Sequence, residues 1–558
     1  MADSTPPDPG RRRVLLAGVG AAVLGAACQP PEATAHIQGG FTGIAHERGH
    51  RLQGTPNWPA PTITRHTDVL IAGGGVAGLA AARALRQKGV EDFVLLELED
   101  EAGGNSRGSQ SSGMACPLGA HYLPLPSDDA PEVQDMLEEL GLRQRVAGRW
   151  VYDERHLCHS PQERLFFNGE WQPGLLPLQG VDGSTLTQYQ KFSALVAQLR
   201  TQARWCIPAS KWPLVPVQQA LAAITFESYL RQQGLSDRHL RWYLDYCCRD
   251  DYGAGLATVS AWAGLHYFAS RHGFSVPGQP ETEREGLLTW PEGNAWLTRR
   301  LAAPLGPRLH TGQVVLRVAN TKHGVELDAF NTRTQGVERW QARRAIVALP
   351  LFVAARVTQN PPDWLRAAAA QTRYAPWLVA NIALHSALHD RPGAPPSWDS
   401  VMYGDAQSAP GLGYVDASHQ SLRSVPGATV LTYYRALGDR VDAADGVQGL
   451  TGAAGRALLL SQPWSHWRDA ILAELSQAHP DLPGKVSRID ITRYGHAMAV
   501  PVPQAKGQTG PKPFHSLRGK LSKSYQTNPV FERLTLAHSD WAGYSVFEEA
   551  FTLGHTAA

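Results

Sequence analysis

The stretch that decides the fold covers residues 68–89 and reads DVLIAGGGVAGLAAARALRQKG. An apolar run ends in clustered glycines and continues with apolar residues at helical spacing, at Val76, Leu79 and Leu85. This order is typical of a strand, a tight turn and the start of a helix. It predicts a nucleotide pocket, and the remainder of the chain must decide which nucleotide.

Each glycine of this turn has its own physical task. Gly73 allows the tight turn, Gly75 lets the backbone approach a pyrophosphate, and Gly78 lets the helix pack close to the strand. Val76 and Ala77 open the helix, where free N–H groups and a partial positive charge favour an anion. Larger side chains in the turn would block the phosphate.

An acid follows at the distance that a dinucleotide site requires. Glu97 lies 19 residues after Gly78 and ends the next predicted strand, at Phe93 to Glu97. There its carboxylate can accept hydrogen bonds from ribose hydroxyls. The strand, the helix and the acid together predict a bound dinucleotide. Both NAD and FAD bind to this unit, so it does not show which of the two is present.

Composition limits the class of protein. The chain has 558 residues, of which 43% are hydrophobic and 18% charged, so it can bury a large core and is expected to fold as two or more lobes. Lysine plus arginine number 52 against 50 for aspartate plus glutamate. This balance predicts no nucleic-acid partner.

The N-terminal segment has the pattern of an export signal. Residues 10–28 read GRRRVLLAGVGAAVLGAAC, an arginine cluster followed by an apolar run that is short for a membrane span. Arg11 and Arg12 resemble the twin-arginine type, which carries folded proteins and suits a cofactor inserted in the cytoplasm. Residues 1–35 are therefore predicted to direct the protein to the periplasm, either free or anchored by lipid at Cys28, with cleavage after Ala35 as the alternative.

The remaining cysteines follow no metal or disulfide spacing. Cys116, Cys158, Cys206, Cys247 and Cys248 contain no CxxC pair. We expect them to be buried small apolar residues and predict no metal site.

The predicted fold class is α/β, with a discontinuous Rossmann-like dinucleotide-binding domain, which the resemblance described next makes an FAD-binding domain, and an inserted α+β substrate domain. Residues 36–65, rich in Pro, Gly and His, read as a linker or arm, and the fold proper is expected to start near His66. Residues 66–125, 285–355 and 531–558 would form the first domain, and residues 126–284 and 356–530 the second.

The choice of FAD comes from a resemblance. Gly103 and Gly104 follow Glu97 in ELEDEAGGNSRG, a pattern that resembles the flavin-containing amine oxidase superfamily of monoamine and polyamine oxidases, protoporphyrinogen oxidase and carotenoid desaturases. In that family two glycines and an arginine pass beneath the FAD pyrophosphate. Here Asn105 takes the place of the arginine, and Arg107 is the candidate substitute. GGNS followed by a Gly-Met pair is also similar to the fumarate reductase and ketosteroid dehydrogenase flavoproteins.

Three later stretches resemble further parts of the amine oxidase FAD site. PLGAHYLPLP is similar to the loop beside the flavin ring, and the strand after WPEGN is similar to one whose valine, here Val315, contacts adenine. At the C-terminus SDWAGYSVFEEA resembles the closing motif, in which an acid meets the ribityl chain and a helix points its N–H groups at the flavin. The cofactor-binding residues that these stretches imply are Gly119, Ala120, His121, Tyr122, Val315, Asp540, Phe547 and Glu548.

The resemblance implies transfer of a hydride equivalent from an amine, or from a related C–N or C–C bond, to flavin N5. The lysine that many members hold near N5 is missing from TRYAPWLVANIAL, where Asn381 is the nearest polar residue. His121, Tyr494 and His496 are the other candidates for catalysis. Asp250 and Asp251 either bind an amine or polyamine cation or form a salt-bridged turn beside Arg249.

The substrate is therefore predicted to be a small molecule, with an amine or polyamine favoured and the electron acceptor open. A dehydrogenase of the fumarate reductase or ketosteroid type using an acceptor other than oxygen is the alternative, and a lipid-anchored flavin-binding electron carrier is the third reading. Membrane contact is predicted only through the N-terminal lipid.

Overall fold

The computed structural model describes residues 34, 36–54, 58–276, 286–405, 408–421, 425–438, 452–503 and 528–558. Arg11, Arg12 and Cys28 lie outside these residues. Export by a twin-arginine signal and lipid attachment at Cys28 therefore stay predictions.

The opening motif forms the centre of a six-stranded sheet. Val69–Ala72 is a strand, buried over three of its four residues, and the helix Val76–Gln87 follows the glycine turn, as predicted. The strands of this parallel sheet are, in spatial order, Leu309–His310, Phe93–Leu96, Val69–Ala72, Arg344–Val347, Leu534–Leu536 and Val530–Phe531. All neighbours are parallel except the last pair. Three separated stretches of the chain thus build one Rossmann-like sheet, which confirms the predicted fold class.

The C-terminal helix, Phe547–Ala557, closes one face of the parallel sheet against Val76–Gln87. Gly554 makes this packing possible, because a Cβ there would lie 2.0 Å from the carbonyl oxygen of Ala77. The last residues of the chain therefore support the first helix of the nucleotide motif.

A large mixed sheet forms the second lobe. Its eight strands are, in spatial order, Gln38–Thr42, Val486–Val500, Arg373–Leu384, Thr429–Ala436, Tyr414–Asp416, Asp399–Met402, Glu163–Phe167 and Glu170–Pro173. Arg373–Leu384 is buried after its first residue because strands pair with it on both edges. A smaller sheet pairs Gln313–Asn320, Val325–Asn331, Gly336–Ala342 and Ile63–His66.

Helices pack against both sheets. In the described residues the α-helices are His46–His50, Val76–Gln87, Pro131–Glu139, Gly183–Gln202, Pro216–Leu221, Phe226–Gln232, Arg238–Tyr252, Ala261–Ala269, Ala295–Ala302, Leu351–Val357, Asp363–Gln371, Gly452–Ser461, Trp464–Leu475, Leu482–Lys485 and Phe547–Ala557. Asp237 caps Arg238–Tyr252 by accepting from two backbone N–H groups, and Gly253 ends it with a φ of 72°. None of the described helices has the length and apolar character that crossing a membrane requires.

Short two-stranded ribbons complete the sheet structure. They pair Tyr122–Pro124 with Leu287–Thr289, Gly108–Ser111 with Met114–Pro117, and Arg143–Val146 with Arg149–Tyr152. The cysteines outside the signal segment are buried, as expected for small apolar residues.

The fold begins earlier than the expected start near His66. Gln38–Thr42 is an edge strand of the large mixed sheet, paired in parallel with Val486–Val500, and a short helix follows at His46–His50. We call residues 38–54 the strap. The sequence offered no periodicity here because an edge strand and a one-turn helix are too short to show one, and their partners lie far along the chain.

Polar contacts hold the strap against the parallel sheet. Arg48 makes two hydrogen bonds to the Asp100 carboxylate, of 2.9 and 3.0 Å, and the backbone N–H of Ala45 donates to Glu99 at 3.1 Å. Arg356 donates to backbone carbonyls near the end of the strap. The strap is therefore fixed to the loop that follows the strand Phe93–Leu96 and to the helix Leu351–Val357.

Candidate functional site

The glycine turn leaves an open space in front of a helix N-terminus. Gly73 has a φ of 100°, and a Cβ there would lie 2.5 Å from the carbonyl oxygen of Ala348. A Cβ on Gly78 would lie 1.9 Å from the oxygen of Gly73, whereas one on Gly75 would meet nothing closer than Gly104 Cα at 3.9 Å. No side chain caps the helix. Gly73 and Gly78 are therefore required by packing, while Gly75 keeps space free for a ligand.

Glu97 stands at the end of the next strand, as the motif predicts. One carboxylate oxygen accepts from the backbone N–H of Gly74 at 2.7 Å and the other from that of Glu99 at 2.9 Å. Burial raises the pKa of Glu97 against the effect of these two donors. The carboxylate is fixed in direction and has lone pairs left for ribose hydroxyls.

The second glycine pair forms the adjoining wall. Gly103 and Gly104 have φ values of 137° and 58°, which glycine adopts most easily. Asn105 donates to the carbonyl oxygen of Ala497 at 2.7 Å and so ties this loop to the other lobe. The loop brings bare backbone to the cavity, as a pyrophosphate requires.

Arg107 does not take the place of the family arginine on the wall. Its guanidinium donates to Gly43 at 2.7 Å and to Gly104 at 3.2 Å, and lies 3.4 Å from the Glu99 carboxylate. These contacts join the strap to the glycine loop from the protein side. Arg107 therefore positions backbone that faces the cavity.

One cavity of about 1400 Å³ joins the predicted cofactor residues. Single ligand pockets usually measure about 300–1,000 Å³, so this cavity has room for a dinucleotide and a substrate. Of the predicted residues, its wall contains Gly73, Gly75, Val76, Ala77, Glu97, Gly103, Gly104, Asn105, Gly119, Ala120, His121, Tyr122, Val315, Tyr494, His496, Asp540, Phe547 and Glu548. Gly78, Arg107 and Asn381 lie outside it.

Asp540 and the C-terminal helix meet at one part of this wall. Asp540 is buried and accepts from the backbone N–H of Leu351 at 3.0 Å and from the Tyr374 hydroxyl at 2.5 Å. Burial opposes its ionisation, but His538 and these donors hold its pKa below the usual value. A flavin pyrophosphate bound here would lie near a second anion, Asp540. The backbone N–H groups at the adjoining helix ends would stabilise both negative charges.

Glu548 lies in the first turn of the C-terminal helix and faces the cavity. Burial raises its pKa to about 7. The neighbouring Glu549 points into the protein, where it accepts from Ser210 N–H at 3.1 Å and from the Tyr544 hydroxyl at 2.7 Å. No side chain caps this helix, so its first N–H groups remain available to a ligand.

His121 and Tyr434 fix the loop that contains Gly119. The Tyr434 hydroxyl donates to the Gly119 carbonyl at 3.0 Å and lies 2.8 Å from His121 Nδ1. Since the hydroxyl has one proton, Nδ1 is the donor in that contact and Nε2 carries a lone pair. Nε2 is buried with no partner among the described residues, and burial lowers the His121 pKa to about 3. His121 is therefore a neutral hydrogen-bond acceptor at ordinary pH.

Of the remaining candidates for catalysis, two line the cavity and one does not. Tyr494 is buried on the cavity wall, and its hydroxyl has no partner within the described ranges. His496 stacks on Phe352 at 4.4 Å, and burial lowers its pKa to about 4. Asn381 instead donates to the Pro117 carbonyl at 2.8 Å and accepts from Thr432 at 2.9 Å. Its amide supports the loop before Gly119 from behind and does not face the cavity.

A cluster of three acids, which we call the acidic pocket, lies on the same cavity wall. It consists of Glu163, Asp250 and Asp399. Burial first, and the charges of neighbouring acids second, raise the pKa of Asp250 to about 7 and that of Asp399 well above its usual value. Neither Asp250 nor Asp399 has an ion-pair partner in the part of the chain that the structure describes.

The two acids predicted from the sequence, Asp250 and Asp251, have different surroundings in the structure. Asp251 forms an ion pair with Arg271 at 3.0 Å, and Arg249 pairs with Asp245 at 3.0 Å. Of Asp250 and Asp251, which both lie on the cavity wall, Asp250 is the one that forms no ion pair within the described residues. Sequence reasoning missed Glu163 and Asp399 because they lie in two strands, far apart in the chain, that pair in parallel in the large mixed sheet.

The fold and the site together define a dinucleotide-binding protein whose cavity is lined by both lobes. Residues 76–558 match the family described as flavin containing amine oxidoreductase. The chain belongs to this family, and FAD is its cofactor. The open turn at Gly75, the fixed Glu97 carboxylate and the uncapped helix ends fit that group.

Curated relatives agree over part of the chain. The L-amino acid dehydrogenase of Synechocystis sp. is 27% identical over 301 residues, which cover 53% of this chain and 58% of the relative. A flavin-containing amine oxidase of Oncorhynchus mykiss is 24% identical over 310 residues, 53% of this chain and 52% of the relative. The chain thus spans little more than half the length of these relatives.

Solved structures share the fold over more of the chain. A putrescine oxidase has a TM-score of 0.61 at 16% identity, covering 88% of this chain and 98% of its own. Cyclohexylamine oxidase from Brevibacterium oxydans IH-35A has a TM-score of 0.61 at 15% identity, covering 88% and 97%. At such identities the likeness concerns the fold.

Proposed function

We propose that this protein oxidises a cationic amine, removing a hydride equivalent from the carbon beside the nitrogen. Bound FAD supplies the acceptor of that hydride equivalent. The observation that carries the proposal is the acidic pocket, in which the half-buried Asp250 and Asp399 face the cavity and form no ion pair within the described residues.

Charge balance explains why a cation should bind there. Buried carboxylates repel one another and lose hydration, so each is costly to ionise unless an opposite charge arrives. Arg271 lies on the same cavity wall and offsets the raised pKa of Asp250 only in part, because its ion pair is with Asp251. An ammonium group entering the pocket would relieve both the burial cost and the repulsion.

The aromatic lining suits the carbon skeleton of such a substrate. Tyr122, Trp398 and Tyr434 lie on the same wall, and the Tyr122 and Trp398 rings meet edge to face at 5.5 Å. Aromatic faces attract cations and pack against alkyl chains. Asp250, with a pKa of about 7, is matched to accept the proton that a substrate ammonium must lose before its carbon can react.

The names of similar proteins point to amines and, for the Synechocystis relative, to L-amino acids. Two of the structural neighbours are a putrescine oxidase and a cyclohexylamine oxidase. A substrate of the L-amino acid type would bring its own carboxylate toward Asp250 and Asp399, which disfavours it by charge repulsion. An amine without a carboxylate is therefore the better fit.

Anaerobic reduction of the bound flavin tests this proposal. The purified holoprotein is mixed with monoamines, diamines, polyamines and L-amino acids, and bleaching of the flavin absorbance band is followed. We expect reduction by one or more cationic amines and none by amino acids. Reduction by amino acids alone, or by no amine in the panel, would contradict the assignment.

For the electron acceptor we propose a molecule other than oxygen. The supporting observation is that the described cavity wall contains no lysine, and the strand Arg373–Leu384 has none either. We expect turnover with a redox dye to exceed turnover with oxygen when an active amine is present. Peroxide formed at the same rate in air as the dye is reduced would refute this part of the proposal.

The acidic pocket also predicts a pH dependence of stability. The folded-state pKa of Asp250, about 7, lies above its ordinary value of 3.8, and Glu548 shifts in the same direction. The folded protein therefore holds more protons between those values, and the free energy of unfolding falls as pH rises through that window. We expect the melting temperature to drop from pH 5 to pH 8. Asp250→Asn should reduce the drop, and an equal drop in both proteins would contradict the assignment.

A further inference from the structure

The ribbon formed by Arg143–Val146 and Arg149–Tyr152 is a hairpin that stands away from the rest of the protein. Its two strands pair with each other and, among the described residues, with no other strand. Ala147 and Gly148 form the turn, with φ values of 47° and 81°. We call residues 143–152 the exposed hairpin.

The base of the exposed hairpin is anchored and its outer part is not. Leu142 is buried, Tyr152 packs on the core beside it, and the Asp153 N–H donates to Leu142 at 3.0 Å. Every residue from 144 to 151 is exposed. An isolated two-stranded ribbon is only marginally stable in water, so a second surface would stabilise its outer part.

Large apolar side chains occupy this outer part. Val146, Trp150 and Val151 are 48%, 42% and 39% exposed. The register pairs Val146 with Arg149 and Arg145 with Trp150. Neighbouring pairs point to opposite faces of a ribbon, so apolar side chains project from both faces.

Positive charge accompanies the apolar groups. Residues 143–152 contain three arginines and no acid, and two of the arginines, Arg145 and Arg149, are exposed. The Trp150 ring lies 3.7 Å from the guanidinium carbon of Arg143 and 5.8 Å from that of Arg145. The next acid, Asp153, is paired with Arg155. The exposed hairpin is therefore a cationic and apolar projection.

We propose that the exposed hairpin docks on the surface of an anionic lipid bilayer. Trp150 and the two valines would enter the interface between headgroups and acyl chains, where tryptophan is favoured, and the exposed Arg145 and Arg149 would meet lipid phosphates. A folded protein partner would cover one face of the ribbon. A bilayer entered by the tip surrounds both faces, which matches the distribution of Val146, Trp150 and Val151.

This surface would also add to the lipid anchor predicted at Cys28. A single acyl chain binds a membrane only marginally, and a basic patch is a common second contribution. Each exposed arginine near an anionic surface strengthens the attraction to it. The hairpin thus extends the prediction that the membrane is contacted only through the N-terminus.

Co-sedimentation with lipid vesicles tests the proposal. The full chain carries Cys28→Ser so that no attached lipid contributes, and the vesicles contain phosphatidylcholine with or without phosphatidylglycerol. We expect binding to the anionic vesicles that weakens with salt. Arg145→Gln with Arg149→Gln should lower the apparent partition constant at least about tenfold, and Trp150→Ser with Val151→Ser should also lower it.

Two double variants elsewhere on the surface serve as matched controls for the loss of charge and of apolar side chains. Arg343→Gln with Arg344→Gln removes two exposed charges elsewhere, and Ile63→Ser with Val530→Ser removes two exposed apolar side chains. Both pairs should bind vesicles like the parent, and the flavin spectrum of each variant reports that it is folded. Absence of binding to anionic vesicles, equal binding to neutral ones, or unchanged binding by the hairpin variants would overturn the proposal.

Discussion

A Gly75→Ala variant should fold normally and bind FAD at least about a hundredfold more weakly. Its φ of −71° and ψ of −174° suit alanine, and the new methyl group would meet no protein atom closer than 3.9 Å. The methyl would instead fill the space in front of the helix N-terminus. At least two charge-assisted hydrogen bonds to phosphate, each of about 1.5–3 kcal/mol, would be lost.

The same substitution three positions later is the matched control. In Gly78→Ala the methyl would lie 1.9 Å from the Gly73 carbonyl oxygen, which belongs to rigid backbone. We expect that variant to lose stability in urea unfolding, whereas Gly75→Ala keeps the parent midpoint as apoprotein. Flavin fluorescence titration measures the affinity. Unaltered FAD affinity in Gly75→Ala would show that the phosphate does not approach this turn.

The second large effect is expected from Asp250→Asn. Removing one member of a buried charge pair costs about 2–5 kcal/mol, so the dissociation constant of a cationic amine should rise at least about thirtyfold. Asparagine has nearly the same shape, so the cavity is kept. The concentration dependence of anaerobic flavin reduction measures this constant, and Asp399→Asn should act in the same direction.

An exposed acid provides the comparison for Asp250. Asp363 has a side chain that is 95% exposed, and Asp363→Asn should leave amine affinity unchanged. Asp250→Asn should bind FAD as tightly as the parent, which separates substrate recognition from cofactor binding. If the amine affinity of Asp250→Asn equals that of the parent, the acidic pocket does not hold the substrate.

Local sequence patterns predicted the parallel sheet well. The glycine turn and the acid at Glu97 depend on residues close together in the chain, where spacing determines geometry. The family resemblance located more distant pieces, such as Asp540, because their order along the chain is characteristic. The fold class and the cofactor were therefore accessible from sequence.

Features that depend on the pairing of strands far apart in the chain could not be predicted from the sequence. Glu163 and Asp399 become neighbours through two strands paired in parallel, and no spacing in the sequence indicates this. Asn381 was singled out for its position in a strand, but its amide contacts Pro117 and Thr432 on the side away from the cavity. Which way a polar side chain points is decided by the packing of both lobes.

The strap has a consequence for how the protein is made. Gln38–Thr42 leaves the ribosome early, yet its partner strand, Val486–Val500, is synthesised near the end. Pairings between distant segments form late in folding. Residues of the strap line the cavity beside the glycine turn. That side of the cavity therefore stays uncovered until nearly the whole chain has been synthesised. During synthesis the flavin would therefore have time to enter the cavity before the strap closes over it.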